Sequence, residues 1–505
     1  MSERLPNGWV ETTLGRVLVS VVGGGTPSRK VPAYFGGQIP WFTVKDMKAL
    51  KPNDAEEHIT EAAIADSATN LIPANTLIVA TRIALGKAIR PTVVCAINQD
   101  LKALVLGSGI NSDFLLHWVG ANHRVIQDLG SGTTVSGIRL EALHGLPLLL
   151  PPSAEQTRIV AKLEELLSDL DAGVAELKAA QKKLAQYRQS LLKAAVEGAL
   201  TAEWRATHTP LETGAQLLHR ILTERRARWE AKQLAKFQQQ GKAPPKDWQK
   251  KYPEPVQPDT SNLPELPQGW VWASVDQLSE SVRNGLSKTP NTDRRGFRIF
   301  KINAVRAMAV NFTAIKHIEI DESEAAEYWV ETGDVLATRY NGSVDLLGVF
   351  GMVREISERT LHPDKLIRMK PMTGARLGAW MEVCGNVGRS RKHLVSRVKT
   401  TAGQTGISGE DLKKTPIPLA PVLEQEAALA VLDERMEAIK ELEQPTELSL
   451  KQSTAQRQNI LRAAFSGQLV PQDPNDEPAS VLLARIRAER AVTPKPRGRK
   501  VKERN

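Results

Sequence analysis

With 505 residues, 41% of them hydrophobic and 25% charged, the chain has material for about two to four domains and is too apolar for wholesale disorder. Its 67 Lys+Arg against 57 Asp+Glu leave a net charge of +10, a modest excess that suits a polyanionic partner without singling one out. Two cysteines, Cys95 and Cys384, exclude a disulfide framework and a cysteine zinc site; both stand in apolar runs and predict buried thiols in a reducing compartment. No apolar run is long enough for a membrane span, and residues 1–8 lack the apolar core of a signal peptide, so a cytoplasmic protein is expected.

The first 150 residues read as a turn-rich mixed α/β globule. Short β-like runs lie at Thr76–Thr81, Pro91–Ile97 and Leu101–Leu106, and Gly23 to Gly25, Gly36-Gly37 and Gly130 to Gly132 mark loops. After Pro151-Pro152 the apolar period changes from two to 3.5. Ile159, Leu163, Leu166, Leu170, Gly173, Leu177, Ala180, Leu184, Tyr187, Leu191 and Ala194 alternate at spacings of four and three, which predicts a coiled-coil seam. Ser153 with Gln156 has the form of a capping box, and Gly198 is a stop. A polar helix is predicted over Ala215–Gln240. Pro244, Pro245, Pro253, Pro255, Pro258, Pro264 and Pro267 then make a stiff extended linker.

Beyond the linker the chain repeats itself. Leu5-Pro-Asn-Gly-Trp-Val10 returns as Leu266-Pro-Gln-Gly-Trp-Val271, Thr81-Arg82 as Thr338-Arg339, and Gly137-Ile138 as Gly406-Ile407. Glu155-Gln156 matches Glu424-Gln425, Tyr187–Ala195 matches Gln456–Ala464, and Leu217-Leu218 matches Leu482-Leu483. The offset is constant through most of the helical part and drifts elsewhere, as expected of two copies of one module whose loops differ. In the second globule, 266–420, strands are predicted at Asp334–Thr338 and Leu346–Phe350. The second helix starts near Val422 with Leu432, Ile439 and Leu442 in register. Arg435 falls on its seam, Pro445 is expected to kink or break it, and the seam resumes at Leu448 and Ile460. One helix per half predicts an antiparallel pair and a pseudo-two-fold molecule. Ala479–Arg490 is a shorter counterpart of the polar helix, and a basic tail with Lys495, Arg497, Arg499, Lys500, Lys502 and Arg504 ends the chain.

The sequence has no Walker-type phosphate loop, no paired metal-ligand histidines, no Gly-x-Ser-x-Gly and no Asn/Asp-Pro-Pro-Tyr/Phe, so neither a catalytic set nor a metal site is expected. Glu176 and Lys178 flank the seam residue Leu177 and read as a solvated helix face. Loop cations and amides suited to phosphate and base-edge contact are present instead. The first globule has Thr26, Ser28, Arg29, Lys30, Lys45, Arg82, Lys87 and Arg90; the second has Arg283, Asn284, Lys288, Arg294, Arg295, Arg298, Lys301, Arg339 and Asn341. Arg82 and Arg339 stand out because they recur at the same place in both copies.

These residues, in this order, resemble the specificity subunits of type I DNA restriction-modification systems over essentially the whole chain. Gly24-Gly-Thr-Pro-Ser28 with Tyr34-Phe-Gly-Gly-Gln-Ile-Pro-Trp41, then Thr81-Arg82 and Asn98-Gln-Asp100, are similar to recognition-domain motifs. Gly137-Ile138, Leu146-Pro147 and Gln156 are similar to the entry to that family's central conserved helix, and Gly467-Gln-Leu-Val-Pro-Gln-Asp-Pro-Asn-Asp-Glu-Pro-Ala-Ser480 to its distal conserved region. The second copy departs from the first with His362-Pro-Asp364. The resemblance implies two recognition domains (1–150 and 266–420), a central helical region (151–240), a linker (241–265), a distal helical region (421–490) and a tail (491–505). It further implies a non-catalytic chain in which each domain reads one half of an asymmetric split DNA site and the helices set the spacer. Two modification subunits would carry S-adenosylmethionine and two motor-nuclease subunits would use ATP and Mg²⁺, with no cofactor in this chain. A non-catalytic coiled-coil scaffold whose globules bind proteins or RNA is the alternative reading; it explains the repeat but not the basic loops.

Overall fold

The computed structural model describes residues 5–131, 137–291, 293–401 and 404–492. The basic tail, Gly132 and the first four residues, including the start of the N-terminal segment read for a signal peptide, lie outside the described residues. The chain divides into two compact units, one of 1–179 with 446–505 and one of 180–445.

Each unit is built on the same plan, which is the structural form of the sequence repeat. In the first, a four-stranded antiparallel sheet runs in the order Leu18–Gly23, Leu101–Leu106, Leu77–Ala80, Ala88–Ile89. In the second the order is Ser279–Asn284, Leu366–Pro371, Val335–Thr338, Phe350–Met352. Smaller sheets with one parallel pairing accompany both, Trp41 opposite Ala96 in one and Ile299 opposite Leu361 in the other. A two-stranded ribbon then returns the chain to the helices, Val10–Thr13 with Pro147–Leu150 and Val271–Ser274 with Pro416–Leu419. The strand expected over Pro91–Ile97 is confined to Cys95–Ile97, because Pro91 has no amide hydrogen for a ladder. The strand expected at Leu346–Phe350 begins only at Phe350, and a 3₁₀ turn occupies Val344–Leu346. Cys95 and Cys384 are buried free thiols, and burial pushes the Cys95 thiol up to about 12.

The first long helix is Ser153–Val196 and ends at Gly198, whose φ of +73° suits glycine. The expected capping box does not form. Ser153 Oγ donates instead to the Gly109 carbonyl at 2.6 Å, while the Gln156 amide accepts from Asn111 N and donates to the Pro151 carbonyl. Gln156 thereby anchors the helix to the strand that feeds it. The second long helix, Val422–Phe465, is continuous through Pro445. Proline removes one N–H, but Pro445 is exposed and its neighbours keep helical geometry, so the predicted break is absent.

Both helices contribute to both cores, in opposite directions. In the first unit Ile159, Leu163 and Leu167 share a core with Ala464 and with Leu482 and Ile486 of the C-terminal helix. In the second, Leu191 and Leu192 pack with Ala428, Leu432 and Ile439 and with Leu217 and Ile221 of the polar helix Gly214–Gln239. This is the antiparallel pair. Of the predicted seam, Ile159, Leu163 and Leu191 are buried and Leu166, Leu170, Leu177 and Leu184 are half-buried, whereas Tyr187 is exposed. Arg435, Leu442 and Leu448 are exposed as well. Polar ties replace apolar knobs toward the helix centres, Arg457 to Asp171 in the first unit and Arg188 to Glu443 at 2.8 Å in the second. The proline-rich segment is docked as well as extended: Trp272 Nε1 donates to Pro264 O, and Ser274 Oγ to Val256 O.

Candidate nucleic-acid interface

In the first unit the motifs at Gly24, Arg82 and Asn98 converge. Gly25 N donates to Ile97 O, and a Cβ on Gly24 would lie 2.0 Å from Asn98 O, so only glycine permits this approach. Asn98 Nδ2 donates to Asp100 Oδ2 and Asp100 N donates back to Asn98 Oδ1, a closed two-bond turn. Thr81 donates from both its amide and hydroxyl to Asp100 O, and Arg82 reaches Asp100 Oδ1 at 3.3 Å with half its side chain exposed. Thr26 bonds Gln99 alongside. Ile138 N donates to Thr81 O, bringing the Gly-Ile motif against the Thr-Arg motif. Lys102, which the sequence reading passed over, donates to Gln99 O; burial lowers its pKa, as does Arg82, against the pull of Asp100. Its signal was its place two residues after Asp100.

The second unit reproduces this construction from different residues. Gly285 packs against His362 and Pro363, with a Cβ only 2.2 Å from Pro363 O. Arg339 N donates to Lys365 O, Ile407 N donates to Arg339 O, and Asn341 N donates to Thr405 O. The Arg339 guanidinium lies 4.8 Å from the Tyr340 ring centre, and its buried Nε has no hydrogen-bond partner. A cleft of about 380 Å³ opens there between Arg339, Tyr340, Arg397, Lys399 and Ser408. His362 stands where the first unit has Asn98. Complete burial, then the nearby Arg368, drives its pKa down to about 3, so it is a neutral ring whose Nδ1 pairs with Tyr328 O at 2.8 Å.

The remaining candidates fall elsewhere. Arg29 pairs with Glu57 and covers the Phe35 ring at 4.6 Å, while Ser28, Lys30, Lys45 and Lys87 are exposed. Arg90 is only 13% exposed and forks onto Asp113, clamping a helix N-terminus. In the 283–301 cluster the acidic stretch Glu319–Glu327 and Glu358 supply partners, Arg283 to Glu327, Lys288 to Glu324, Arg295 to Glu319 and Arg298 to Glu358, and Arg295 also pairs with Asp293 within the cluster. Arg294 and Lys301 are exposed, Arg294 with a φ of +60°. Arg283 and Asn284 are consecutive on a strand and so project to opposite sheet faces. Asn284 lies near Gly409, whereas Arg283 lines a separate cleft beside the polar helix. No group of three metal-ligand side chains and no helix apolar and long enough to cross a membrane occurs among the described residues.

Residues 6–180 match the family model described as a type I restriction modification DNA specificity domain. The chain is 28% identical over 395 residues to the type I restriction enzyme EcoKI specificity subunit of Escherichia coli K12, covering 76% of this chain and 73% of that one. It is 32% identical over 180 residues to the EcoR124I/EcoR124II specificity subunit of Escherichia coli, covering 34% and 45%. A solved chain, from work on complex assembly and conformational transition of the type I R-M system, superposes with a TM-score of 0.61 at 16% identity, over 92% of this chain and 99% of that one. That likeness concerns the fold.

Proposed function

We propose, for this member of the type I restriction-modification specificity-subunit family, that its DNA-sequence recognition is bipartite, each unit reading one half of an asymmetric target. Membership makes the chain a non-catalytic specificity subunit. The observation that carries the finer reading is the double construction at Arg82 and Arg339. In each unit a Thr-Arg strand end meets a Gly-Ile segment and a glycine loop packed on a three-residue turn, while the exposed side chains around it differ. A shared frame with divergent surroundings suits two readers of different bases, since frame and backbone groups position the duplex and side chains specify it.

In this reading 1–150 and 266–420 are the recognition domains, 151–240 and 421–490 the helical regions that set the spacer, and 241–265 a docked connector. The chain would direct two modification subunits, which bring S-adenosylmethionine, and two motor-nuclease subunits, which bring ATP and Mg²⁺, in the cytoplasm. Methylation-sensitive sequencing of the host genome tests this directly. The expected result is one split, asymmetric motif whose two halves change independently when residues 1–150 or 266–420 are exchanged. A single exchange that alters both halves overturns the assignment.

A further inference from the structure

The polar helix Gly214–Gln239 runs well past the turns that bury it. Its first two turns are anchored as in the other copy, with Leu217 and Ile221 buried like Leu482 and Ile486. Beyond these turns the helix continues to Gln239. The continuation has no apolar stripe into the core. It is held by a ring cluster with the returning proline-rich segment, Trp229 against Trp248 at 5.8 Å and Tyr252 at 5.4 Å, and Phe237 against Trp248 at 6.1 Å. Arg225 secures the base of the continuation by donating to Ser279 O at 3.0 Å and to the Tyr252 hydroxyl at 2.7 Å.

This construction leaves a cleft of about 380 Å³ between the continuation and the edge strand Ser279–Asn284, lined by seven cations and three carboxylates. Each carboxylate already has a cation: Glu327 has Arg283, Glu331 has Lys370, and Glu280 has Arg228. The surplus charge therefore centres on Lys232 and Lys236, both exposed and without a salt-bridge partner among the described residues. They continue, at three- and four-residue spacing, a helix face about 16 Å long that begins with Arg225 and Arg228, both already engaged with protein partners. On the opposite wall the buried Trp329 Nε1 has no hydrogen-bond partner.

We infer that this cleft grips the phosphodiester backbone of the DNA duplex, outside the bases read around Arg339. The inference rests on the DNA-recognition reading and adds a surface outside the one built around Arg339. A linear row of cations fits a linear array of single charges, one per 3.4 Å of axis along each strand. The strand carrying Arg283 and the strand ending at Thr338-Arg339 belong to one four-stranded sheet, so the cleft is continuous with the proposed reading surface through a shared element. Contacts of this kind add affinity and register without sequence information.

The test is the salt dependence of duplex binding by the full chain, wild type against K232Q/K236Q. Glutamine keeps helix propensity at two exposed positions, so folding is preserved. Loss of two phosphate contacts lowers the slope of log K against log salt by about 1.8, equally for random-sequence duplex and for duplex carrying the target. An unchanged slope, with wild type binding DNA in a salt-dependent way, overturns the inference and leaves the recognition reading standing. Wild-type binding that ignores salt overturns both. An unchanged slope together with lost co-purification of a methyltransferase subunit overturns the inference in favour of a protein contact.

Discussion

Trp270 donates its indole N–H to the Glu424 carboxylate at 2.8 Å, with both side chains buried. The first unit repeats the pair as Trp9 to Glu155 at 3.0 Å. Each bond ties the start of a globule to the first turn of a long helix more than a hundred residues away in the chain. Glu424 also accepts from Thr201 Oγ1 and Arg205 Nε, so removing its charge strands a half-buried arginine partner. Glu424→Gln is expected to cost about 3 kcal/mol, and Trp270→Phe, which keeps the ring and loses one donor, about 1–2 kcal/mol. Urea unfolding of the single and double variants measures the coupling. Strictly additive losses would show that the pair is incidental.

The motifs Leu-Pro-x-Gly-Trp-Val and Glu-Gln were both legible as repeats, because buried tryptophans and N-terminal glutamates tolerate little change in spacing. Their pairing with each other was not legible, since nothing in a one-dimensional repeat says which repeated element touches which. Helix limits at Ser153 and Gly198 and the strand Leu101–Leu106 follow from local pattern. The fate of Ser153 does not: Gly109 O lies within reach only after folding, and it competes successfully with the helix's own amides. The ion pairs of the basic cluster at 283–301 were not legible for the same reason, because Glu324, Glu327 and Glu358 reach it through tertiary pairing. At Pro445 the expected break does not occur. At an exposed helix position the lost N–H bond is tolerated by packing gained on both sides of it.

Arg82 and Arg339 are expected to act on different halves of the target. Arg82→Gln should relax or weaken one half-site and Arg339→Gln the other, each by about 1–3 kcal/mol where the guanidinium reads a base. Methylome sequencing of cells carrying either variant separates the halves. If either arginine serves a phosphate instead, the loss is uniform across sequences and the salt slope falls by about 1.

Ile83, next to Arg82, is 63% exposed and has a φ of +67°, where a β-branched residue is disfavoured. Ile83→Gly should remove strain of about 1–2 kcal/mol while adding about 0.5–1 kcal/mol of unfolded-state entropy, leaving stability unchanged or slightly higher. Thermal unfolding checks the sign. If Arg82 reads a base as proposed, DNA affinity is expected to fall at the first half-site, because an exposed apolar group held in a strained turn beside it would meet the neighbouring base. A variant that unfolds more easily with full DNA affinity would remove Ile83 from the interface.

His362 is neutral in the folded state because burial, and then Arg368, hold its pKa near 3, against about 6.5 in an open chain. The unfolded state therefore binds the extra proton first as pH falls. Stability from this group is complete above pH 6.5 and declines by about 1.4 kcal/mol per pH unit down to about pH 3. Asp334, which faces the same Arg368 and is raised to about 6 by burial, works in the opposite sense, losing stability as pH rises toward that value. Comparing wild type with H362N cancels the Asp334 contribution, and asparagine is the residue the first unit uses at the matching turn. The difference between their unfolding free energies should shift in favour of H362N as pH drops from 6.5 to 4. Parallel pH profiles would mean that the imidazole is already charged in the fold.

The proposed ruler makes a prediction that the helix pairing sharpens. Asp171 pairs with Arg457 and Arg188 with Glu443, so the two long helices are in fixed register with each other at both ends of their shared stretch. Deleting seven residues from Ser153–Val196 alone slides one set of partners past the other and is expected to destabilise the protein without a clean change in spacing. Deleting one heptad from each helix, between these ion pairs, keeps both sets matched. It shortens the pair by about 10 Å, close to three base-pair steps at 3.4 Å each. Sequenced methylation sites should then show unchanged half-sites separated by about three fewer base pairs. A paired deletion that folds and keeps the original spacer would mean that DNA bending, and not helix length, sets the distance.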